Sequence, residues 1–347
     1  MAKYRVGIVG FDHWYAGFEA MRDLKDNPRA ELVVVAHRDL DHARETIQQA
    51  GAEATDDYEA VVERDDLDII VTACPTSENA ALVCKAARSG KHVLSVKPYA
   101  LNLCEANAIA SAVKAGGVHF MSFDCLYRTS AVTNLFKRWL KEGRLGEPIS
   151  VFAMMRSVLP ATIWPDVPGR SWWLDPTKVF GGGWVDHAIY QIDQLRYLFD
   201  TEVVRVSGEI ANRKHKGEPL EDYGSANVVL GNGVVASIEV TWSVEPAGFM
   251  QSFHLVGTKA EVITQPVLTE NTPFSGPKLF KVEFGDQKGW QAIDMPGRDE
   301  GQSLLDHLLD VIEGKAEPVA TAYDSFKNLQ ACLAFYEAAR THTVVQI

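Results

Sequence analysis

The stretch YRVGIVGFDHWY, residues 4–15, decides the fold. Its first six residues are apolar and β-branched enough for a strand buried on both faces. Gly10 ends the run, and from His13 to Asp26 the apolar side chains recur at helical spacing. A strand that turns tightly into a helix opens a βαβ unit. The alternation continues outward. ELVVVAH (31–37) is a second strand, and DLDHARETIQQA (39–50) is a helix with Asp39 placed to cap it. LDIIVTAC (67–74) is a third strand, followed by a helix through Ala87. KHVLSV (91–96), LCEANAIASAVKA (103–115) and VHFMSF (118–123) read as strand, helix and strand. Continuous apolar runs between helices specify a parallel, doubly wound sheet of Rossmann type.

The pattern changes after EGRLGEP (142–148). ISVFAMMRSV (149–158) is a strand, and a Pro- and Trp-rich stretch follows it. GGGWVDHAIYQIDQLRYLF (181–199) starts on three glycines and runs on as a helix. From Glu202 to Asp294 strands succeed one another with turn signals such as LGNGVV, and the last segment is helical. This order predicts an α+β domain with a large, mostly antiparallel open sheet. The expected division is a dinucleotide-binding domain over 1–124 and a substrate-binding and oligomerisation domain over 125–347. The C-terminal helix is free to pack back on the first domain.

Composition narrows the partners. A net charge of −12 over 347 residues is wrong for a nucleic-acid or anionic-membrane surface. No run approaches the roughly 20 apolar residues of a membrane span, and VGIVG is too short for a signal core. Cys74, Cys84, Cys104, Cys125 and Cys332 are scattered and form no C-x-x-C pair. Reduced thiols in a cytoplasm, and no metal site, are the expectation.

The turn Gly10-Phe11-Asp12-His13 stands where α/β domains bind dinucleotides, so these four residues are candidate cofactor contacts. Only the first glycine of G-x-G-x-x-G is present, and Asp12 brings a carboxylate towards the pyrophosphate position. The alternative is that Gly10 simply makes a turn. His37 and Arg38 stand where an acid would bind the ribose of NAD, which favours NADP over NAD. Lys97 follows a strand and precedes a proline, at the ligand-binding edge of the sheet, where an ammonium can polarise a substrate oxygen. Asp186 and Tyr190 are four apart and share a helical face. Tyr190 is the candidate acid/base and Asp186 its orienting carboxylate; the alternatives are a core tyrosine and a capping aspartate. His187 is a rival acid/base or a substrate contact, expected to point about 100° away from Asp186. Asp193 could bind a substrate hydroxyl. Trp164, Trp172, Trp173 and Trp184 could stack on a sugar or build a core, and Trp172 and Trp173 are the substrate candidates.

GKHVLSVKPYA (90–100) resembles the GKHVLCEKPLA segment of the glucose–fructose oxidoreductase/inositol dehydrogenase (Gfo/Idh/MocA) family. CPTSEN (74–79) is similar to its TPNxxH loop, LYRTS (126–130) to its xxRFxP segment, EGRLGEP to its SGELGKI turn, and GGGWVDHAIYQID (181–193) to GGGALLDLGxHxID. The resemblance runs nearly end to end. It implies cofactor contacts from Cys74, Pro75, Thr76, Asn79, Lys97 and Pro98, and a substrate role for Arg128. It departs at Val96, Asn79, the two missing glycines and Tyr190, which occupies the place of the family's catalytic histidine. What it implies is an NAD(P)-dependent oxidoreductase acting on a secondary alcohol or ketone, of a sugar or cyclic polyol. The alternatives are the family's non-redox NAD-dependent glycosidases and a non-catalytic dinucleotide-binding regulator. The partners expected are a small-molecule substrate and copies of the same chain, as a dimer or tetramer.

Overall fold

The computed structural model describes residues 3–160, 169–266, 277–285, 288–294, 296 and 301–347. These form two compact units that interleave in sequence rather than meeting at a single cut after residue 124. The first comprises 1–129, 161–180 and 302–329; the second comprises 130–160, 181–301 and 330–347.

In the first unit strands and helices alternate. They are β1 (Tyr4–Val9), α1 (Trp14–Leu24), β2 (Ala30–Ala36), α2 (Leu40–Gln49), β3 (Glu53–Thr55), α3 (Tyr58–Glu63), β4 (Ile69–Thr72), α4 (Thr76–Arg88), β5 (His92–Ser95), α5 (Leu103–Gly116) and β6 (Phe120–Ser122). The described strands lie in the order β3-β2-β1-β4-β5-β6, all parallel. The order reverses between β1 and β4, and the crevice at such a switch point is where doubly wound sheets bind ligands. Val6, Ile8, Val35, Ile69 and Val71 form the core with Ala16 and Ala20 of α1. Leu304, Leu305, Leu308 and Leu309, from 175 residues beyond Thr129, belong to the same cluster.

The second unit holds α6 (Ala131–Lys141), β7 (Pro148–Arg156), α7 (Gly183–Phe199), β8 (Val203–Ala211), β9 (Tyr223–Leu230), β10 (Val235–Thr241), β11 (Met250–Gly257), β12 (Ala260–Pro266), β13 (Pro277–Glu283) and β14 (Gln291–Ile293). After these come α8 (Leu304–Ile312), which lies in the first unit, then α9 (Ala322–Thr341) and β15 (Val345–Gln346). The described strands form a sheet in the order β14-β13-β12-β11-β7-β10-β9-β8-β15, antiparallel except for β7 beside β10. The expected mostly antiparallel sheet is therefore present. One face buries Ala236, Ile238 and Val240 against α7. Phe152, on the opposite face by strand alternation, is exposed. Among the described residues no helix is long and apolar enough to cross a membrane.

Candidate active site

Each helix of the first unit must satisfy the free N–H groups of its first turn. Asp39, Asp57 and Asn102 do so for α2, α3 and α5 by accepting from His42, Ala60 and Glu105. Helices α1 and α4 have no side-chain cap; their N-cap positions are His13 and Pro75. These two helices begin after β1 and β4, at the switch point. In α4 the Ser77 N–H donates instead to the Lys178 carbonyl at 3.1 Å, while the start of α1 suits an anion such as a pyrophosphate. Thr76, in the first turn of α4, is fully buried and its hydroxyl has no hydrogen-bond partner among the described residues.

Gly10 adopts φ +89°, and a Cβ there would lie 2.8 Å from the Cα of Cys74. Close approach of the β4 end thus requires this glycine. The Phe11 N–H is already used, donating to His37 Nδ1 at 3.2 Å, and the Phe11 ring packs 5.0 Å from Phe18. Asp12 accepts from the Tyr58 hydroxyl at 3.2 Å. Burial pushes its carboxyl up to about 6, against the pull of that hydrogen bond. Burial also pushes the His37 imidazole down to about 4, so it is neutral at physiological pH.

Lys97 is fully buried. Its ammonium sits 4.7 Å from the Trp173 ring and 5.8 Å from the Tyr15 ring. Trp172 and Trp173 stack at 4.6 Å. Trp172 Nε1 donates to the Asp12 carbonyl at 2.9 Å, and both indoles pack on His13, at 5.1 and 5.3 Å. Residues 170–174 therefore form an aromatic wall over the glycine turn, beside the lysine. Trp164 lies outside the described residues.

In the second unit α7 presents Asp186 and His187 together. Asp186 Oδ2 accepts from Trp242 Nε1 at 2.9 Å and lies 3.1 Å from His187 Nε2. The Tyr190 ring lies 6.4 Å from that of His187. The expectation that His187 points away from Asp186 is corrected: the backbone positions are about 100° apart, but the imidazole folds back to the carboxylate.

The three glycines at the start of α7 admit close neighbours from elsewhere in the second unit. A Cβ on Gly181 would overlap the Tyr336 hydroxyl, one on Gly182 the Glu221 carbonyl, and one on Gly183 would lie 3.0 Å from the Asp222 carbonyl. The Glu221 carboxylate accepts from the N–H groups of Gly182 (2.9 Å) and Trp184 (3.1 Å) and from the Tyr336 hydroxyl (2.6 Å). Tyr336 in turn accepts from the Val185 N–H at 3.3 Å. Glu221 and Tyr336 cap the helix that carries Asp186, and the glycines let them approach.

Several expected contacts have structural partners instead. The Asn79 amide donates to Ser95 Oγ (2.9 Å) and the Tyr99 carbonyl (2.7 Å), pinning the loop after Lys97-Pro98. The Cys74 thiol is buried near Asn79 and pushed well up by that burial. Arg128 donates to the Val319 carbonyl at 2.8 Å and pairs with Asp324 at 2.9 Å. Asp193 is fully buried, 3.8 Å from Arg196. Trp184 is a core residue, stacked on Phe335 at 3.7 Å. Arg38 is paired with Glu78. Sequence reasoning missed Tyr58, Glu78, Glu221, Tyr336 and Trp242; of these, only Glu221-Asp222 ahead of β9 gives a local signal, a carboxylate pair at a strand entrance.

The parallel, doubly wound sheet of the first unit has the architecture of a dinucleotide-binding domain. Residues 4–123 match the oxidoreductase family with an NAD-binding Rossmann fold, and residues 134–263 match the GFO/IDH/MocA C-terminal domain. The chain belongs to the Gfo/Idh/MocA family of oxidoreductases. It is similar to scyllo-inositol 2-dehydrogenase (NAD(+)) of Bacillus subtilis (strain 168), 26% identical over 92% of this chain and 90% of the relative. It is also similar to 1,5-anhydro-D-fructose reductase of Ensifer adhaerens, 25% identical over 83% and 82%. Among solved structures, aldose-aldose oxidoreductase from Caulobacter crescentus superposes with a TM-score of 0.81 at 22% identity, covering 100% of both chains. Levoglucosan dehydrogenase in complex with NADH and L-sorbose does so with 0.81 at 21%, covering 100% and 99%. At these identities the structural likeness speaks for the fold.

Proposed function

We propose that this chain oxidises a secondary alcohol, or reduces the ketone, of a sugar or cyclic polyol with NAD as its cofactor. The observation that carries the reading is the fully buried lysine under an aromatic wall, beside the start of α1 at the switch point. The first turn of α1 would hold the pyrophosphate, with the Thr76 hydroxyl at its side. A nicotinamide supplies the hydride acceptor or donor. Lys97 polarises the reacting oxygen, which lowers the cost of removing its proton. Tyr190 exchanges that proton and Asp186 orients it. A second reading gives the proton to His187, and the 3.1 Å contact to Asp186 favours it. Trp172 and Trp173 offer apolar faces to a sugar ring. NAD replaces the NADP expectation because Arg38 already has a carboxylate partner. We assign the protein to the cytoplasm as a homo-oligomer that pairs through the open sheet face of the second unit, where Phe152 and Val235 are exposed.

A thermal-shift screen of sugars and polyols with NAD⁺ and NADP⁺, followed by absorbance at 340 nm, tests this. A net absorbance change with a stabilising polyol or sugar is the expected result. Turnover without net change would move the chain to the glycosidase alternative. Absence of any dinucleotide effect would overturn the reading.

A further inference from the structure

We propose that Glu78 is a cofactor-specificity residue, which withholds Arg38 from a 2′-phosphate and makes the adenosine end of the site selective for NAD over NADP. This rests on the dinucleotide reading above. Strand β2 ends at Ala36, and the residues just after it recognise the 2′ position of a bound adenosine in doubly wound folds. Two basic residues follow it, His37 and Arg38. His37 is buried, its Nδ1 accepts the Phe11 N–H at 3.2 Å, and it carries no charge to offer. Arg38 is therefore the only cation those two positions supply.

Arg38 pairs with one carboxylate and stacks on an aromatic ring. Its guanidinium sits 4.7 Å above the Tyr58 ring, and Nη2 is ion-paired with Glu78 in the first turn of α4. The hydroxyl of that same Tyr58 donates to the Asp12 carboxylate at 3.2 Å. A 2′-phosphate brings close to two negative charges. It would have to compete with Glu78 for the guanidinium and remain beside that carboxylate, and like charges so placed oppose binding. A 2′-hydroxyl has no such conflict, because it can donate its hydrogen to a carboxylate. Arginine after β2 signals NADP only when its fork is available to the phosphate, and Glu78, forty residues away in sequence, holds the Nη2 arm of that fork.

The test is direct binding, which needs no turnover. NAD⁺ and NADP⁺ are titrated by calorimetry into the wild type, Glu78→Gln, and Glu78→Gln combined with Arg38→Ala. The wild type is expected to bind NAD⁺ more tightly. Glu78→Gln should raise NADP⁺ affinity about tenfold, the scale of one relieved charge conflict. NAD⁺ affinity should change less than about threefold, which also reports that the variant is folded. The added Arg38→Ala should abolish the gain. An NADP⁺/NAD⁺ ratio unmoved by Glu78→Gln, or a wild type that prefers NADP⁺, overturns the proposal while leaving the dinucleotide reading intact. Binding of neither dinucleotide by the wild type overturns that reading, and the Glu78 assignment with it.

Discussion

Replacing Glu221 by alanine removes the cap of α7, the helix that carries Asp186 and Tyr190. The carboxylate accepts two backbone N–H groups and the Tyr336 hydroxyl, at 2.9, 3.1 and 2.6 Å, inside a buried environment. A buried donor left without a partner costs about 1–3 kcal/mol. Three such donors would suggest a large loss, but two effects reduce it. Burial already holds the Glu221 carboxyl above its usual range, so removing the charge recovers part of its desolvation cost. The space left can also admit a water, which partly satisfies the donors. The net expectation for Glu221→Ala is about 3 kcal/mol. A unit of this size then melts roughly 6–12 °C lower by calorimetry or circular dichroism. Glu221→Gln keeps one acceptor oxygen and turns an NH₂ towards the donors, so it should fall between wild type and alanine. Loss of less than about 1 kcal/mol in Glu221→Ala, or a glutamine variant weaker than alanine, would refute the capping argument.

Further outcomes follow from the same geometry. Tyr190→Phe is expected to lower kcat by about 10²–10⁴ with a smaller change in KM; if it keeps more than roughly a third of kcat while His187→Ala loses a hundredfold, the proton role passes to His187. Lys97→Ala should abolish turnover yet leave dinucleotide binding by calorimetry largely intact, and a near wild-type kcat would remove it from the mechanism. Trp242→Phe deletes the donor to Asp186 and should reduce kcat more than it reduces the melting temperature, provided Asp186 acts in the reaction. Asp12, raised from 3.8 to about 6, binds its proton more tightly when folded, so its contribution to stability is full below about 4 and lost as pH rises to about 6. His37, lowered from 6.5 to about 4, acts in the opposite sense: its contribution is full above about 6.5 and lost as pH falls to about 4. Asp12→Asn removes only the first contribution, so the melting temperature of the variant relative to wild type should climb between about pH 4 and 6; a pH-independent difference would show that Asp12 does not titrate there.

The sheet of the first unit was legible because strands buried on both faces must be apolar without interruption, as in Ile69–Val71. Strand β3 and helix α3 were not: Glu53–Thr55 is a three-residue edge with no buried residue, and α3 has six residues, too few for a periodicity. Residue types at the site could be read, but their partners could not. Arg128, Asp193 and Asn79 look available in sequence, yet their partners lie at Asp324, Arg196 and Tyr99, and only the fold shows which polar groups are already occupied. The glycine run was legible as the start of a helix, while what approaches it, a strand entrance and the Tyr336 hydroxyl, comes from about 40 and 155 residues downstream. His187 was misplaced because helical angle alone ignores the reach of a side chain.

The leucines of α8 complete the core around β1 and β2, and that has a consequence for biosynthesis. When residue 129 leaves the ribosome, the nascent dinucleotide-binding sheet still lacks the side chains that cover one of its faces. At ordinary translation speeds the missing segment arrives roughly 10–40 s later. For that interval an apolar surface stands open to chaperones and to neighbouring chains. A fragment ending at 129 would carry the same defect permanently, so dissecting this protein at the edge of its first sheet should yield aggregates rather than a miniature cofactor-binding module.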